Sequence, residues 1–384
     1  MAYVSYNTYP GWHFRGMIRD VMAYHAKFFD SPEQQLGEAR SLVNFLSKSV
    51  PVEDNPYGML LSRELEQLKD KHSYYLYHEF LEEFNEPIYF HQLAERLDQH
   101  GLQYLGEADF SSMSASNFPP QVEKMLRTVS NDTIRMEQYM DFVRNRMFRQ
   151  TLVCHRSVEL QRDVPWQNAL KLFVSSNSRP AESVDLHSTQ PITYSRPGST
   201  MTTREPLVKA AMAVLSEHWP RSVMMSELVT LARRKLNSNP QLLSPEQVRQ
   251  EQQIIAQPLI RCYATTHVDL SYLPTTFATT IAEYPKATAF ARHQAQQSNR
   301  LTNLNHQSVG LTDLQRHLIG KMDGQHDRTQ LLEYLVEQVV QGNLIAHDAG
   351  IEVRDEARIR EMLSGILEQN LQQILRKSLL VPGL

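Results

Sequence analysis

Apolar residues recur every three or four positions through most of the chain, which is the spacing of one buried face of an α-helix. In the first half this pattern predicts helices at about 18–28, 31–46, 57–70, 73–84, 89–100 and 132–150. Residues 2–6 instead alternate and are rich in β-forming types, so they predict a strand, and the turn residues at 7–11 end it. A second, short strand is predicted at 102–105.

The second half mixes strand-like segments with helices. Helices are predicted at about 205–218, 224–236, 245–258, 311–321, 328–341 and 355–377, and strands at 169–174, 192–194 and 261–270. Residues 293–308 are polar and rich in Asn and Gln, which predicts a linker. A small β-wing is predicted at 343–346 and 351–353, between the last two helices.

These elements predict a mainly α fold with small α+β parts, in which a helical N-terminal region is followed by winged-helix-like domains. At 384 residues the chain is long enough for several domains with separate cores. We expect a junction segment at 1–30, a helical domain at 31–160, a middle α+β winged-helix-like domain at 161–292 and a C-terminal winged-helix-like domain at 293–384.

Composition narrows the class of protein. The formal net charge is −4 and the sequence pI is about 6.4, so bulk attraction to nucleic acid or anionic lipid is not expected. Cys154 and Cys262 are far apart and lack a CxxC partner, which argues against a disulfide framework. No apolar run approaches a membrane span, and no secretory signal is present, so we expect a cytoplasmic protein without membrane contact.

Sequence motifs for catalysis or cofactor binding are missing. None of the 14 glycines forms the GxG of a nucleotide-binding turn, and GWHFRG at 11–16 is followed by Met17 where a phosphate loop needs lysine. HEFLE at 78–82 has Glu82 in place of the second histidine of a zinc-protease motif. We therefore predict no catalytic, cofactor-binding or metal-binding residues within this chain.

Four arginines lie on the helix predicted at 132–150, namely Arg135, Arg144, Arg146 and Arg149. Their arrangement allows two interpretations. With Glu137 and Asp141 they suit a solvated face with intrahelical ion pairs. Alternatively, they form a face that docks another domain or an acidic protein segment. Tyrosines and tryptophan in YNTYPGW and YYLYHEF suit either a core or an interface, because these side chains bury a large area and keep a polar tip.

Three segments carry a resemblance to a known family: YVSYNTYPGWHFRGMIRD, YLYHEFLEEFNEPIYFHQLAERLDQHGLQYLGEAD and EQYMDFVRNRMFRQTLVCH. They resemble the methyltransferase regulatory region of bacterial S-adenosylmethionine-dependent methyltransferases, which include the rickettsial protein-lysine methyltransferases that modify outer-membrane proteins. MDGQHDRTQLLEYL resembles the C-terminal winged-helix segment of the same proteins. The resemblance covers nearly the whole chain.

The resemblance implies that residues 1–30 are the remnant of a Rossmann-type methyltransferase domain and that 31–160 is a regulatory and dimerisation domain. It places Tyr6, Asn7, Tyr9 and Trp12 near the methyl-transfer cleft. The glycines that bind the cofactor in that family are missing here. We therefore expect this chain to bind no cofactor alone, and expect S-adenosylmethionine in an associated catalytic domain that acts in cis or in trans.

Three functions follow as hypotheses. The first is the regulatory and substrate-recruiting portion of a protein-lysine methyltransferase, with a protein substrate and without catalysis by this chain alone. The second is a winged-helix regulator that binds nucleic acid, and the third is a structural module that forms a homodimer. We also expect the strand at 2–6 to pack against the helical region or a second chain, or to be poorly ordered, because an opening strand needs a cover for its edge.

Overall fold

A computed structural model describes residues 1–69, 71–182, 185–236, 243–275, 277–348 and 351–382. The chain divides into two units, Met1–Arg162 and Asp163–Leu384. Within the described ranges, no helix is both long enough and apolar enough to cross a membrane.

The first unit is a set of helices around a small sheet. Its helices are α1 (Trp12–Ala26), α2 (Pro32–Ser49), α3 (Pro56–Lys69), α4 (Ser73–Leu76), α5 (Phe90–Gln99), α6 (Pro120–Val129) and α7 (Thr133–Arg144). A π-helical turn, Tyr77–Leu81, continues α4, and two 3₁₀ turns span Phe110–Met113 and Ala115–Asn117. The start of α2 follows the sequence signal, since the Ser31 side chain accepts a hydrogen bond from the Gln34 amide.

Helices α1 to α4 pack around their own apolar core. Ile18, Met22, Ala39, Leu61 and Phe80 are among its buried side chains. They lie at the helical spacing from which these helices were predicted, so the amphipathic pattern accounts for this part of the fold.

The sheet of the first unit has the order β1 (Ala2–Asn7), β3 (Phe148–His155), β2 (Leu102–Glu107). Strand β1 was predicted, and its partner is a strand within the region predicted as helical: β1 pairs antiparallel with β3 of the same chain, from Ala2 opposite Val153 to Asn7 opposite Phe148. Strand β2 pairs antiparallel with the other side of β3. The edge of β1 that the sequence left open is thus closed on one side by a strand from much later in the chain.

The helix predicted at 132–150 is too long. Helix α7 ends at Arg144 because Asn145 adopts a left-handed conformation with φ of 50°, and β3 begins at Phe148. Strand β3 buries Arg149, Thr151 and Val153 on one face. Two of these three buried residues are polar, so the sequence does not show the alternation of apolar and polar residues that predicts a strand.

The second unit alternates short strands and helices. Its helices are α8 (Trp166–Ala169), α9 (Pro206–His218), α10 (Met225–Leu236), α11 (Pro245–Ala264), α12 (Ala289–Ala295), α13 (Asp313–Lys321), α14 (Arg328–Val340) and α15 (Glu356–Arg376). Its strands are β4 (Phe173–Ser175), β5 (Arg179–Pro180), β6 (Ile192–Arg196), β7 (Ser199–Thr203), β8 (Val223–Met224), β9 (Asp269–Ser271), β10 (Arg300–Thr302), β11 (Ser308–Gly310), β12 (His347–Asp348) and β13 (Ile351–Glu352). They form the sheets β8-β4-β9, β5-β6-β7, β10-β11 and β12-β13.

Two apolar cores support this unit. One is built from α8 to α11 with β4, β6 and β8, and the other from α12 to α15 with β10. The wing predicted between the last two helices is present as β12 and β13. The mainly α fold with small α+β parts and a C-terminal winged helix is confirmed.

Three predictions in the second unit are wrong. The strand predicted at 169–174 is reduced to β4, because Ala169 belongs to α8. Residues 261–264 belong to α11, whose Cys262 and Ala264 are buried, so the strand predicted at 261–270 is reduced to β9. The linker predicted at 293–308 instead contains the end of α12, strand β10 and the start of β11. Segments 261–270 and 293–308 are ordered by tertiary packing rather than by an amphipathic pattern. In the second of them, for example, Leu301 has only 1% of its surface exposed.

A buried histidine joins separate parts of the second unit. His267 is fully buried, with Nε2 at 2.9 Å from Ser178 Oγ and Nδ1 at 3.2 Å from Ser199 Oγ. Burial, together with the nearby charge of Arg196, lowers the pKa of His267. The neutral imidazole is therefore the form that the fold accommodates.

We expect His267 to make the protein less stable in mild acid. Its folded-state pKa is below the unfolded value of about 6.5, so its stabilising contribution is complete above that pH and is lost as the pH falls. His267→Gln should flatten the dependence of unfolding free energy on pH below about 6.5. Denaturant unfolding at several pH values measures this dependence, and His187→Gln, at an exposed histidine, is the control. Equal slopes of unfolding free energy against pH for wild type and His267→Gln would contradict the prediction.

Candidate functional site

Two parallel strands end at the same edge of the first unit's sheet. Strands β1 and β2 both run antiparallel to β3, so they are parallel to each other, and they end at Asn7 and Glu107 beside the start of β3. Three residues that the family resemblance places near the methyl-transfer cleft, Tyr6, Asn7 and Tyr9, lie at this end of the sheet and are only partly buried. This carboxyl edge is therefore the candidate functional site.

The four residues predicted for the cleft lie at or beside this edge. Tyr6 and Asn7 close β1, Tyr9 lies in the turn after it, and Trp12 begins α1. Tyr6, Asn7 and Tyr9 are half-buried, whereas Trp12 has only 2% of its surface exposed and packs towards Phe80. The structure thus brings three of the four near an accessible surface and places Trp12 in the interior.

The amide of Asn7 has a defined orientation. Its Nδ2 donates hydrogen bonds to Glu79 Oε2 at 3.2 Å and to Asn85 Oδ1 at 3.0 Å. An ionised carboxylate only accepts hydrogen bonds, so the nitrogen of the amide must face Glu79 and Oδ1 must face away from it. The side-chain oxygen of Asn7, Oδ1, is therefore available as a hydrogen-bond acceptor at the carboxyl edge.

The turn after β1 is held closely against the start of β3. The Thr8 amide donates to the Met147 carbonyl at 2.9 Å, and the Gly11 amide donates to the Arg146 carbonyl at 2.9 Å. A Cβ at Gly11 would lie 2.4 Å from the Asn145 carbonyl oxygen, so no other residue fits without displacing backbone. The path of residues 8–11 therefore depends on the position of β3.

A buried ion cluster lies behind this edge and joins β3, β2 and α7. Arg149 Nε and Nη2 each lie 2.8 Å from an oxygen of Asp141, Nη1 lies 2.7 Å from Glu107 Oε1, and Nη2 lies 3.0 Å from Glu137 Oε2. Arg146 adds a contact of 3.0 Å to Glu107 Oε2. We call these five residues the Arg149 cluster; Arg149, Glu107 and Asp141 have no exposed side-chain surface.

Burial sets the protonation of this cluster. It raises the pKa of Glu137 to about 7, against the opposing charge of Arg149, and it also raises the pKa of Asp141. Burial alone would lower the pKa of Arg149, but the hydrogen bond and charge of Asp141, with Glu107 and Glu137, raise it. Two guanidinium groups thus face three carboxylates, and protonating Glu137 makes the cluster neutral.

The four arginines predicted as a docking face do not lie on one common face of the protein. Arg149 is buried on β3, Arg146 is bound to Glu107, and Arg144 donates to the carbonyl oxygens of Ser112 and Ser114. Arg135 remains exposed beside Asp132, at 3.4 Å. The single helical face assumed for them is wrong, and a docking role stays a prediction.

Sequence reasoning missed Glu107 and Thr151, which complete the buried site. Thr151 Oγ1 donates to Glu107 Oε1 at 2.8 Å and lies 3.4 Å from the Tyr6 hydroxyl, from which it accepts, and burial raises the pKa of Tyr6. The sequence signal that could have revealed this buried site is Arg149 and Thr151, which lie two positions apart between β-forming residues. Across the described ranges, no group of His, Cys, Asp or Glu is placed to hold a metal ion.

We expect Glu137→Gln to change how stability depends on pH. The folded-state pKa of Glu137 is raised above its ordinary value of 4.5, so its contribution is complete below that pH and is lost as the pH rises through about 7. In wild type this loss is on the order of 3 kcal/mol. Glutamine is neutral throughout and keeps an acceptor for Arg149, so the variant should lose this slope and match or exceed wild type at pH 8.

Urea unfolding at several pH values between 4.5 and 8 measures this change. Glu123→Gln, which breaks the 2.8 Å surface pair of Glu123 with Arg127 on α6, is the control and should keep the wild-type profile. Parallel profiles for wild type and Glu137→Gln would show that Glu137 is ionised throughout.

Two family models match separate parts of the chain. The model described as a predicted methyltransferase regulatory domain matches residues 72–155, which include β2, β3 and the Arg149 cluster. The model described as the PKMT C-terminal winged helix domain matches residues 283–379, which include α12 to α15.

Individual relatives extend the similarity to nearly the whole chain. The uncharacterised protein RP789 of Rickettsia prowazekii is 30% identical over 392 aligned residues, which cover 99% of this chain and 69% of that protein. RP027 of the same organism is 25% identical over 63% of this chain and its own full length. The solved structure of PKMT2 from Rickettsia typhi in complex with AdoHcy has a TM-score of 0.82 at 26% identity, covering 99% of this chain and 74% of that one.

These comparisons correct one prediction and confirm another. The expectation that this chain binds no cofactor is wrong, because PKMT2, which was crystallised with AdoHcy, matches 99% of the chain. The resemblance to methyltransferases with a regulatory region and a C-terminal winged helix is confirmed by both family models. With RP789 matched over more than two thirds of its length, the chain belongs to the protein-lysine methyltransferase family.

Proposed function

We propose that this protein is an S-adenosylmethionine-dependent methyltransferase that modifies lysine side chains of a protein substrate. The observation that carries the proposal is the match to PKMT2 over 99% of the chain, with a TM-score of 0.82, since that protein was crystallised with AdoHcy. The carboxyl edge of β1 and β2 supports it, because three residues that the family resemblance places near the methyl-transfer cleft, Tyr6, Asn7 and Tyr9, lie there.

The residues at this edge are of types that suit the cofactor. S-adenosylmethionine carries an adenine ring, ribose hydroxyls and an amino-acid group, and these need aromatic surface and hydrogen-bonding side chains. The Tyr9 ring provides aromatic surface at the end of β1. When bound, S-adenosylmethionine supplies the methyl group that the acceptor nitrogen receives.

Asn7 is the residue to which we assign orientation of the acceptor amine. Glu79 and Asn85 hold its Nδ2, so Oδ1 is fixed as a hydrogen-bond acceptor. An amine N–H that donates to Oδ1 has its nitrogen held in one direction, and such positioning of a reacting atom lowers the barrier of a transfer reaction. The buried Arg149 cluster contributes by holding the sheet to which Asn7 belongs.

We expect Asn7→Ala to lower kcat/KM for methyl transfer about tenfold to a hundredfold, the value of one hydrogen bond to a reacting polar group. Release of S-adenosylhomocysteine with an outer-membrane protein substrate measures it. Asn343→Ala, at an exposed asparagine of the second unit, is the matched control and should keep full activity. Wild-type kcat/KM in a folded Asn7→Ala variant would refute the assignment.

We also propose that the helical and winged-helix parts recruit the protein substrate and regulate the reaction. The charges on α14 favour this role over nucleic-acid binding, since Arg328 lies 3.1 Å from Glu368 and Glu333 lies 2.8 Å from Arg360. A helix that enters a DNA groove needs uncompensated positive charge towards the phosphates. Here the paired charges reduce that attraction.

Large exposed apolar side chains in the helical region lead us to propose a homodimer. Tyr24, Phe28, Phe45, Tyr74 and Phe84 have exposed fractions of 67%, 68%, 61%, 75% and 83%. Tyr24 and Phe28 also pack edge to face, at 5.7 Å between ring centroids on α1. Exposed apolar surface of this extent on a soluble protein marks interaction sites.

Phe28→Glu should shift a dimer towards monomer, because a charge would be buried against apolar surface. Sedimentation equilibrium measures the association constant, which we expect to fall at least about tenfold. Phe290→Glu, at a phenylalanine of the second unit with 59% exposure, is the control. A wild-type protein that is monomeric at high micromolar concentration would rule out the homodimer.

A further inference from the structure

A pocket opens beside the turn that follows β1. Its volume is about 630 Å³, which lies within the range of about 300–1,000 Å³ typical of ligand pockets. Helices α1 and α3 and the segment between α7 and β3 form its walls. Gly11 also lines it, so the pocket adjoins the turn that follows Asn7 and carries Tyr9. We call this cavity the α1–α3 pocket.

Most of the surface of the α1–α3 pocket is apolar, and part of that surface is accessible. Phe14, Tyr57 and Met59 have exposed fractions of 49%, 39% and 58%. Methionine side chains are flexible and polarisable, so they adapt to apolar groups of different shapes. Accessible apolar surface of this kind marks a binding site. The apolar side chains that line the pocket are Phe14, Met17, Tyr57, Met59, Leu60 and Met147.

A neutral ion pair holds the two helices of the pocket together. Arg15 of α1 has Nε at 3.4 Å from Glu64 Oε2 on α3, and its Nη2 donates to Gln67 Oε1 at 3.0 Å. The side chains of Arg15 and Glu64 are only 12% and 7% exposed. The carboxylate of Glu64 and the guanidinium group of Arg15 therefore compensate each other, and neither charge is left for a ligand.

Two hydrogen-bond donors that line the pocket have no acceptor among the described residues. Arg63 is exposed, and it makes no ion pair with any carboxylate that the structure describes. Gln67 Oε1 accepts from Arg15, so the Nε2 of its amide is a donor, and it too is without a described acceptor. Arg63 and Gln67 are four positions apart on α3 and so share one face. A positive charge beside a second donor suits a carboxylate, which only accepts hydrogen bonds.

The length of this face indicates the size of the ligand. The apolar residues Tyr57 and Leu60 come first along α3, and the donors Arg63 and Gln67 follow them. From Tyr57 to Gln67 the helix rises about 15 Å, which is the span of about four to five residues of an extended chain. A polypeptide segment can present an apolar group and a carboxylate along this distance.

We propose that the α1–α3 pocket binds a polypeptide segment in which a large apolar side chain stands next to an acidic residue. The apolar side chain enters the apolar lining, and the carboxylate pairs with Arg63 and Gln67. The identity of this polypeptide as the protein substrate rests on the proposed function. A substrate segment bound there is held beside the carboxyl edge, because Gly11 belongs both to the pocket and to the turn after Asn7.

Methionines that line the pocket provide the measurement. In the full chain with ¹³C-labelled methionine methyl groups, the NMR signals of Met17, Met59 and Met147 should shift on addition of the peptide acetyl-Gly-Gly-Phe-Asp-Gly-amide. The signals of Met212 and Met322, which are fully buried in the second unit, should stay in place. The Asn analogue of the peptide should bind about threefold to fivefold more weakly, because it lacks the charge. The Ala analogue at the Phe position should bind at least about tenfold more weakly.

Arg63→Gln tests the role of the charge, and the exposed position of Arg63 makes a loss of folding unexpected. The variant should bind the Asp and Asn peptides with equal affinity, whereas wild type prefers the Asp peptide. Arg96→Gln, at an exposed arginine of α5, is the matched control and should keep the preference. Equal affinity of wild type for the two peptides, or an unchanged preference in Arg63→Gln, would overturn the proposal.

Two further results would assign the pocket to another occupant and so overturn the proposal. Dodecanoate has a carboxylate and an apolar chain but no peptide backbone, and tighter binding of dodecanoate than of the Asp peptide would indicate a fatty acid. Shifts of the Met17, Met59 and Met147 signals with protein concentration alone would indicate a second copy of the chain.

The peptide titrations need neither S-adenosylmethionine nor an acceptor protein, so they separate the two proposals. Preference for the Asp peptide in a protein without methyl transfer would support the pocket and refute the proposed function. Methyl transfer by a protein without this preference would support the proposed function and refute the pocket. Where methyl transfer occurs, Arg63→Gln should raise KM for the acceptor protein about threefold, and an unchanged KM would refute the assignment of the pocket to the substrate.

Discussion

The contact of Arg149 with three carboxylates is the interaction on which the first unit depends. A guanidinium group with no exposure is stable only where its charge is compensated, and Asp141, Glu107 and Glu137 do this from α7 and β2. The ring of Phe90 on α5 covers its face, with Cζ 3.9 Å from the centroid. A shift of β3 by one residue would expose this charge on the wrong face, so the cluster also sets the strand register.

The register of β3 in turn places the carboxyl edge. Strand β1 pairs along its whole length with β3, and the turn after it binds to the carbonyl oxygens of Arg146 and Met147. Gly11 permits this approach because no Cβ intervenes. The Asn7 amide and the ring of Tyr9 are thus positioned by a charge cluster that lies behind them. Burial raises the pKa of Glu137, so protonation of this carboxyl group brings the cluster closer to neutrality.

The second unit depends on a different principle. Its two cores consist of apolar helix faces, and its helices begin at capping side chains such as Ser244, Thr312 and Asp327. Its charged residues mostly pair on the surface, where each pair contributes little to stability. Such a scaffold suits recruitment of a protein substrate, because its surface can vary without loss of the fold. In the proposed function, positioning of the reacting groups is assigned to the first unit, where polar groups are buried and fixed.

The sequence by itself determined most of the helices and the mainly α class, though not α6 or α12, because amphipathic spacing and capping act within a few residues. It also determined the strand β1 and the family, through motifs that include Tyr6, Asn7 and Trp12. Only the tertiary structure decided the strand β3, whose buried face carries Arg149 and Thr151, since their partners Glu107 and Glu137 are remote in the chain. It likewise ordered β10 within a segment that local pattern predicted as a linker. Interactions between neighbouring residues can be predicted from the local sequence. The compensation of a buried charge cannot, because it depends on segments that come together only in the folded protein.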